Sequence, residues 1–318
     1  MKTLSDFKLH LQTKGKELEW LELAEDFLPD YLDGFVVSAD KLSYARGFAD
    51  KYIAGTANAV KKIVLLFWYH DLNSDKAIST YMVTLLGTLD VLENQRIRME
   101  KYHGKEKAAQ IFEQLGFPTL GRDLAQYPSS IVTYLNSLRS SFSLDECKNI
   151  LAGNHHGIDV SGFAKEKEFF RAAPDLQSYL QGKHARLVQN LQEHCDSGKL
   201  WFEQHITQDV VDYVKSDQEI QTGVLHGNRL FVKKIPYNPA AWLFETDPLT
   251  KRYYACHCPF VRASILDGTQ VDSLWCYCSG GFTKLLMDYL FGQELGVELL
   301  ESALDGSDVC RFAIILPS

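Results

Sequence analysis

The chain has 318 residues, 46% of them hydrophobic and 12% aromatic, enough to bury a sizeable core, which excludes a disordered chain. A formal charge of −8 with no Lys/Arg-rich block excludes the basic footprint of a protein that holds nucleic acid or anionic membrane on its surface. The longest apolar run, Ile63 to Tyr69, is far too short to cross a bilayer and reads as a buried core segment.

The first residues, MKTLSDFKLHLQTKGKELEWL, lack the apolar stretch and small-residue cleavage site of a signal peptide, so the sequence predicts a cytoplasmic protein. Seven cysteines, an odd number, agree with free thiols in a reducing compartment. Residues 1 to about 215 read as roughly eight to ten helices. Ser74-Asp75 caps a long one, in which Ala77, Ile78, Tyr81, Leu85, Leu89 and Leu92 recur at three or four residues before Gly104. Ser143-Leu-Asp-Glu146 is a capping-box pattern with Gly153 as its stop. Pro174 opens another helix, striped by Leu176, Leu180, Leu187 and Leu191 and ended by Asp196-Ser-Gly198.

After Gly223 the texture changes. Residues 229–235 and 252–258 are short, β-branched or aromatic runs separated by prolines, and they read as strands. Residues 283–291 carry Leu285, Leu286, Tyr289 and Leu290 at helical spacing, closed by Gly292. Residues 297–304 and 309–316 flank Asp305-Gly306 as a hairpin. The prediction is an α+β fold: a mainly helical N-terminal two-thirds and a C-terminal pocket domain of antiparallel sheet and helix. Residues 1–140 form the helical region and 141–318 the α+β small-molecule-binding domain.

Four cysteines stand in two Cys-x-Cys pairs, Cys256 with Cys258 and Cys276 with Cys278. On extended backbone each pair presents both sulfurs on one face, and two paired strands would bring four thiolates into a tetrahedral cage that suits zinc. Buried cysteines that pack as small hydrophobes satisfy the same pattern. Cys278 also precedes Ser279-Gly280-Gly281 and a helix, so its sulfur is placed at a helix N-terminus, where a thiolate nucleophile is stabilised. Gly280 and Gly281 then admit a substrate to the backbone, and His257 supplies a base if a bulge turns it toward Cys278. The same Gly-Gly pair also suits an ordinary strand-to-helix turn.

The run Cys256-His-Cys258-Pro259, Cys276-x-Cys278-Ser-Gly-Gly-Phe282, Phe291-Gly292, Val297-Glu298-x-x-x-Ser302 and Gly306-x-x-x-Cys310-x-Phe312-x-Ile314 resembles the L-2-amino-thiazoline-4-carboxylic acid hydrolase-like family. At the Gly…Cys-x-Phe hairpin it is similar to the 4-vinyl reductase type of small-molecule-binding domain. The resemblance covers roughly the last 90 residues. It implies an α+β pocket domain and, from the first family, hydrolytic opening of a cyclic amidine at a C–N bond.

Outside the pairs, His155-His156 lies between two glycines, where a metal ligand and a solvated turn are both compatible. Cys310 shares a strand face with Phe312, Ile314 and Leu316, as a core residue or a pocket lining. Glu298 and Glu301 read as surface ion-pair residues or a general acid. No dinucleotide, Walker, zincin or Gly-x-Ser-x-Gly signature occurs. The expectation is a protein that binds a small organic molecule beside the cysteine pairs and hydrolyses it, with no nucleic-acid or membrane partner. The competing expectation is a non-catalytic sensor or structural module stabilised by zinc or a ligand.

Overall fold

Local capping chemistry sets seven of the sixteen α-helix starts among the described residues. Thr3 with Asp6 and Ser143 with Glu146 form reciprocal capping boxes. Asp40, Asp175, Thr207, Asn238 and Asp247 each accept the backbone N–H of the third residue after them. The computed structural model, which describes residues 2–53, 56, 58–113, 115, 124–202 and 204–317, is mainly helical with one four-stranded antiparallel sheet.

Its helices and strands fall into two compact units. The first holds α1 (Leu4–Thr13), α2 (Leu18–Val37), α3 (Lys41–Phe48), α4 (Ala59–Leu72) and α5 (Lys76–Leu86). Its core gathers around Tyr31, whose ring packs on Phe35 and Phe48 and whose hydroxyl lies 2.8 Å from His70 Nε2. The apolar run 63–69 is part of α4, with Ile63, Leu65, Leu66 and Tyr69 fully buried. The helix expected from Ser74-Asp75 to Gly104 is in fact two. α5 is capped at Gly87, and the next helix starts only after Asp90, which sits at φ 60°.

The second unit begins with α6 (Val91–His103), α7 (Lys105–Phe112), α8 (Tyr127–Ser141), α9 (Leu144–Leu151), α10 (Ala164–Ala172), α11 (Leu176–Ser197) and α12 (Gln208–Ser216). Twelve α-helices thus precede Gly223 among the described residues, more than the expected eight to ten. β1 (Val224–His226), β2 (Arg229–Lys233), α13 (Pro239–Phe244), α14 (Pro248–Ala255), α15 (Ser264–Asp267), α16 (Tyr277–Phe291), β3 (Gly296–Glu301) and β4 (Arg311–Ile315) complete it. Helices α6 to α8, expected within the helical region 1–140, share this unit with the sheet.

The sheet order is β1-β2-β4-β3, with Leu230 opposite Ile314 and Val232 opposite Phe312. These four side chains are buried on one face; Leu230, Val232 and Ile314 share a core with Met287 and Leu290 of α16 and Tyr179 and Leu180 of α11. Two expectations are corrected. Residues 252–258 are not a strand: Asp247 caps the turn that Pro248 opens, and α14 runs to Ala255. The β3–β4 connection is longer than a two-residue turn, because Ser302 caps a short 3₁₀ turn, Ala303–Asp305, ahead of Gly306 at φ 98°.

α16 is held from two sides through its glycines. A methyl at Gly280 would meet Phe312 and Val297 at 3.3 Å, while one at Gly281 would fall 2.4 Å from the Gly153 carbonyl oxygen and 2.6 Å from the Ala152 carbonyl carbon. Side chains can yield, whereas the backbone ending α9 cannot. Gly281→Ala is therefore expected to cost about 3 kcal/mol in urea denaturation. Gly47→Ala, which meets nothing within 4 Å, should be neutral or stabilise by about 0.5–1 kcal/mol. Equal effects of the two substitutions would contradict this packing.

Candidate functional site

The four paired cysteines sit not on strands but on a turn and a helix start, and this decides where their sulfurs go. Cys256 caps the end of α14, and Cys258 begins the turn in which the Arg262 N–H reaches the Cys258 carbonyl at 2.9 Å. Cys276 ends the 3₁₀ turn Ser273–Cys276 and is the N-cap of α16, leaving Cys278 in the first helical turn. Residues two apart on a helix diverge, so Cys276 and Cys278 are not presented on one face, whereas Cys256 and Cys258 lie on the non-helical turn after α14.

The inner members, Cys256 and Cys276, are buried within electrostatic reach of each other and of Cys310. Burial raises all three thiols, most strongly Cys276, whose sulfur lies 3.2 Å from the Ser302 hydroxyl. Neutral sulfurs packed in this way behave as core atoms. Cys310 is on the buried sheet face with Phe312 and Ile314, and its carbonyl accepts the Lys234 backbone N–H at 2.9 Å. Glu298 pairs with Arg229, and Glu301 lies 3.7 Å from Arg311, both in ion pairs at the sheet surface.

The outer members, Cys258 and Cys278, both feel the charge of Lys234. Burial raises the Cys278 thiol well above its usual range, and the nearby Cys258 adds to it; the Lys234 charge only offsets this. Helix position alone therefore does not make Cys278 a thiolate. The Gln95 amide of α6 faces it from a fully buried position without closing a hydrogen bond. Burial raises Cys258 as well, and its sulfur accepts the Trp275 indole N–H at 3.1 Å. Cys258 is also partly exposed, whereas the other three paired cysteines are buried.

His257 does not turn toward Cys278. Its Nε2 lies 2.6 Å from the Ile235 carbonyl oxygen, and burial, reinforced by Lys234, drives the imidazole down to about 3. It is a weak base held in place by backbone. Gly280 and Gly281, expected to admit a substrate, instead admit the sheet and the end of α9.

Sequence reasoning missed the charged groups. Lys234 follows β2 and is only 8% exposed; its Nζ lies 2.9 Å from the Ser279 hydroxyl. Arg262 is stacked 3.8 Å from the Tyr237 ring centre and 5.3 Å from that of Tyr253, with Nη1 buried and unpaired. Neither has a carboxylate partner among the described residues. The period-two pattern offered a signal: Leu230, Val232 and Lys234 alternate on the buried face, where a lysine is out of place.

His155 and His156 separate. His155 is 1% exposed, with Nε2 2.9 Å from the Ile150 carbonyl oxygen and 3.2 Å from the Gly153 nitrogen, so it seals the end of α9. His156 packs its ring 5.6 Å from that of Phe282 and is lowered to about 4 by burial and then by Lys234. Among the described residues no three His, Cys, Asp or Glu side chains are grouped to hold a metal ion.

A family of unknown function, DUF6144, matches residues 186–318, a stretch that starts inside α11 and includes the whole sheet, all five clustered cysteines, Lys234 and Arg262. No curated protein and no solved structure matches the chain. Among the described residues no helix is long and apolar enough to cross a membrane.

Two outcomes follow from this geometry. Burial lowers His155 to about 4, so the unfolded chain binds its proton first as pH falls below 6.5, and stability is lost between pH 6.5 and 4. Denaturation at pH 5 should show a loss of about 2 kcal/mol from this residue, and His155→Gln should flatten the slope. A chelator is expected to leave the melting temperature unchanged; a drop of several degrees would restore the zinc cage.

Proposed function

We propose that the second unit binds a small organic anion, a carboxylate above all, beside Lys234, His257, Cys258, Arg262 and Ser279. One observation carries this reading: two buried or half-buried cations, Lys234 and Arg262, have no carboxylate partner among the described residues, while burial disfavours the charged forms of the histidines and thiols around them. An uncompensated charge in a low-dielectric interior is costly, and a sequence retains it where a counter-charge arrives from outside. Both cations act on His257, so the anion's place is beside that ring. The Arg262 guanidinium suits such a ligand, because it lies against the Tyr237 ring with Tyr253 nearby and one nitrogen is left without a partner.

The resemblance at the cysteine motifs supports the same class, since the substrate it implies is a cyclic amidine bearing a carboxylate. Under this reading the activity is hydrolysis of such a ring at a C–N bond, with Lys234 and Arg262 holding the carboxylate and a thiol of the outer pair next to the ring carbon.

A thermal-shift panel of small carboxylates against their neutral amides tests the binding. At about 100 times Kd a carboxylate should stabilise the protein by about 2.7 kcal/mol, and the matching amide should not. Lys234→Met should abolish the shift while raising the stability of the ligand-free protein by about 1 kcal/mol. Amides that stabilise as well as acids, or a Lys234→Met protein that still responds, would overturn the proposal.

A further inference from the structure

The second unit holds a cavity of about 450 Å³ between α14, the loop after α15 and the short 3₁₀ turn Ala303–Asp305. That volume lies within the usual range of small-molecule sites, about 300–1,000 Å³. Lys234, His257, Cys258, Arg262 and Ser279 are not among the residues that line it. Ile265 and Val271, both buried, and Leu304 give it an apolar lining.

The same cavity is lined by two opposite charges that do not pair. Arg252 donates through Nε to the Ala303 carbonyl at 2.8 Å and through Nη2 to the Leu304 carbonyl at 3.3 Å. Two bonds to the backbone of one turn fix the guanidinium fork, and Nη1 is left without a partner among the described residues. Asp305 is the next residue of that turn; it is exposed, and its carboxylate closes no hydrogen bond or ion pair among the described residues. Since Arg252 grips the carbonyl of the residue just before Asp305, the two charges are neighbours, yet neither satisfies the other. A simple carboxylate here meets the like charge of Asp305, and a simple amine meets that of Arg252. A ligand carrying both charges on one carbon answers both.

We propose that this cavity binds a free α-amino acid with an apolar side chain, its carboxylate on Arg252, its ammonium on Asp305 and its side chain against Ile265, Val271 and Leu304. The site does not rest on the anion-binding reading above.

Titration calorimetry of the full chain with L-leucine tests it. N-acetyl-L-leucine and L-leucinamide each lack one charge, and glycine lacks the side chain. All titrations are run on the wild-type and Lys234→Met proteins, which separates this cavity from the other site. L-leucine should saturate both proteins with a Kd of about 1 mM or below. The two singly charged probes should bind at least about tenfold more weakly, and so should glycine. Asp305→Asn and Arg252→Gln should each weaken L-leucine at least about tenfold. Should Arg252→Gln fail to fold, Asp305→Asn, at an exposed position, decides. No saturation by about 10 mM, probes that match L-leucine, or unchanged affinity in Asp305→Asn would overturn the proposal. L-leucine binding lost in Lys234→Met but kept in Asp305→Asn would assign the ligand to the other site and overturn this one as well. Binding kept in Lys234→Met and lost in Asp305→Asn supports this cavity whatever the carboxylate panel shows.

Discussion

The close approach of α16 to the end of α9 fixes the rest of the site. With Gly281 set against the Ala152–Gly153 backbone and Gly280 against Phe312 and Val297, the helix has no freedom to rotate about its axis. That rotation sends Cys276 inward to Ser302 and Cys278 toward Gln95, and it turns Ser279 to meet Lys234. Glycine is required here by space rather than by dihedral angle, since neither residue has a positive φ. The feature that looked like an entrance for substrate is the joint that aligns the thiols.

From that alignment follows a division of labour among the sulfurs. Cys256, Cys276 and Cys310 fill the root of the β3–β4 connection as neutral, apolar atoms. Cys258 and Cys278 both feel the charge of Lys234, which has no carboxylate partner among the described residues. A protein selected for stability alone gains by replacing Lys234 with an apolar side chain, so its presence on a buried strand face argues for a role outside folding.

Much of the scaffold was legible in the sequence because its signals are local. The Ser143–Glu146 capping box, the stops at Gly198 and Gly292, and the pairing of 297–304 with 309–316 each depend on a few adjacent residues. The run 252–258 misled because Tyr253 and Tyr254 favour strands, while the deciding cap, Asp247 with Pro248, lies upstream of the run. That one change of element takes Cys256 and Cys258 off a strand and sets them on the turn after α14. Arg262 and Gln95 were illegible for another reason: they come from distant parts of the chain, and what marks them is a buried polar atom left without a partner, which no spacing reveals. Lys234 was readable in advance from its alternation with Leu230 and Val232.

The central claim is that Lys234 and Arg262 together take a negative charge from outside, none of the described carboxylates being paired with either. Anomalous diffraction from bromide-soaked crystals examines it most directly. The account predicts a leading bromide peak within about 4 Å of Lys234 Nζ or the Arg262 guanidinium, next to His257. A protein carboxylate seated on both cations, with bromide found only at the outer surface, would contradict it.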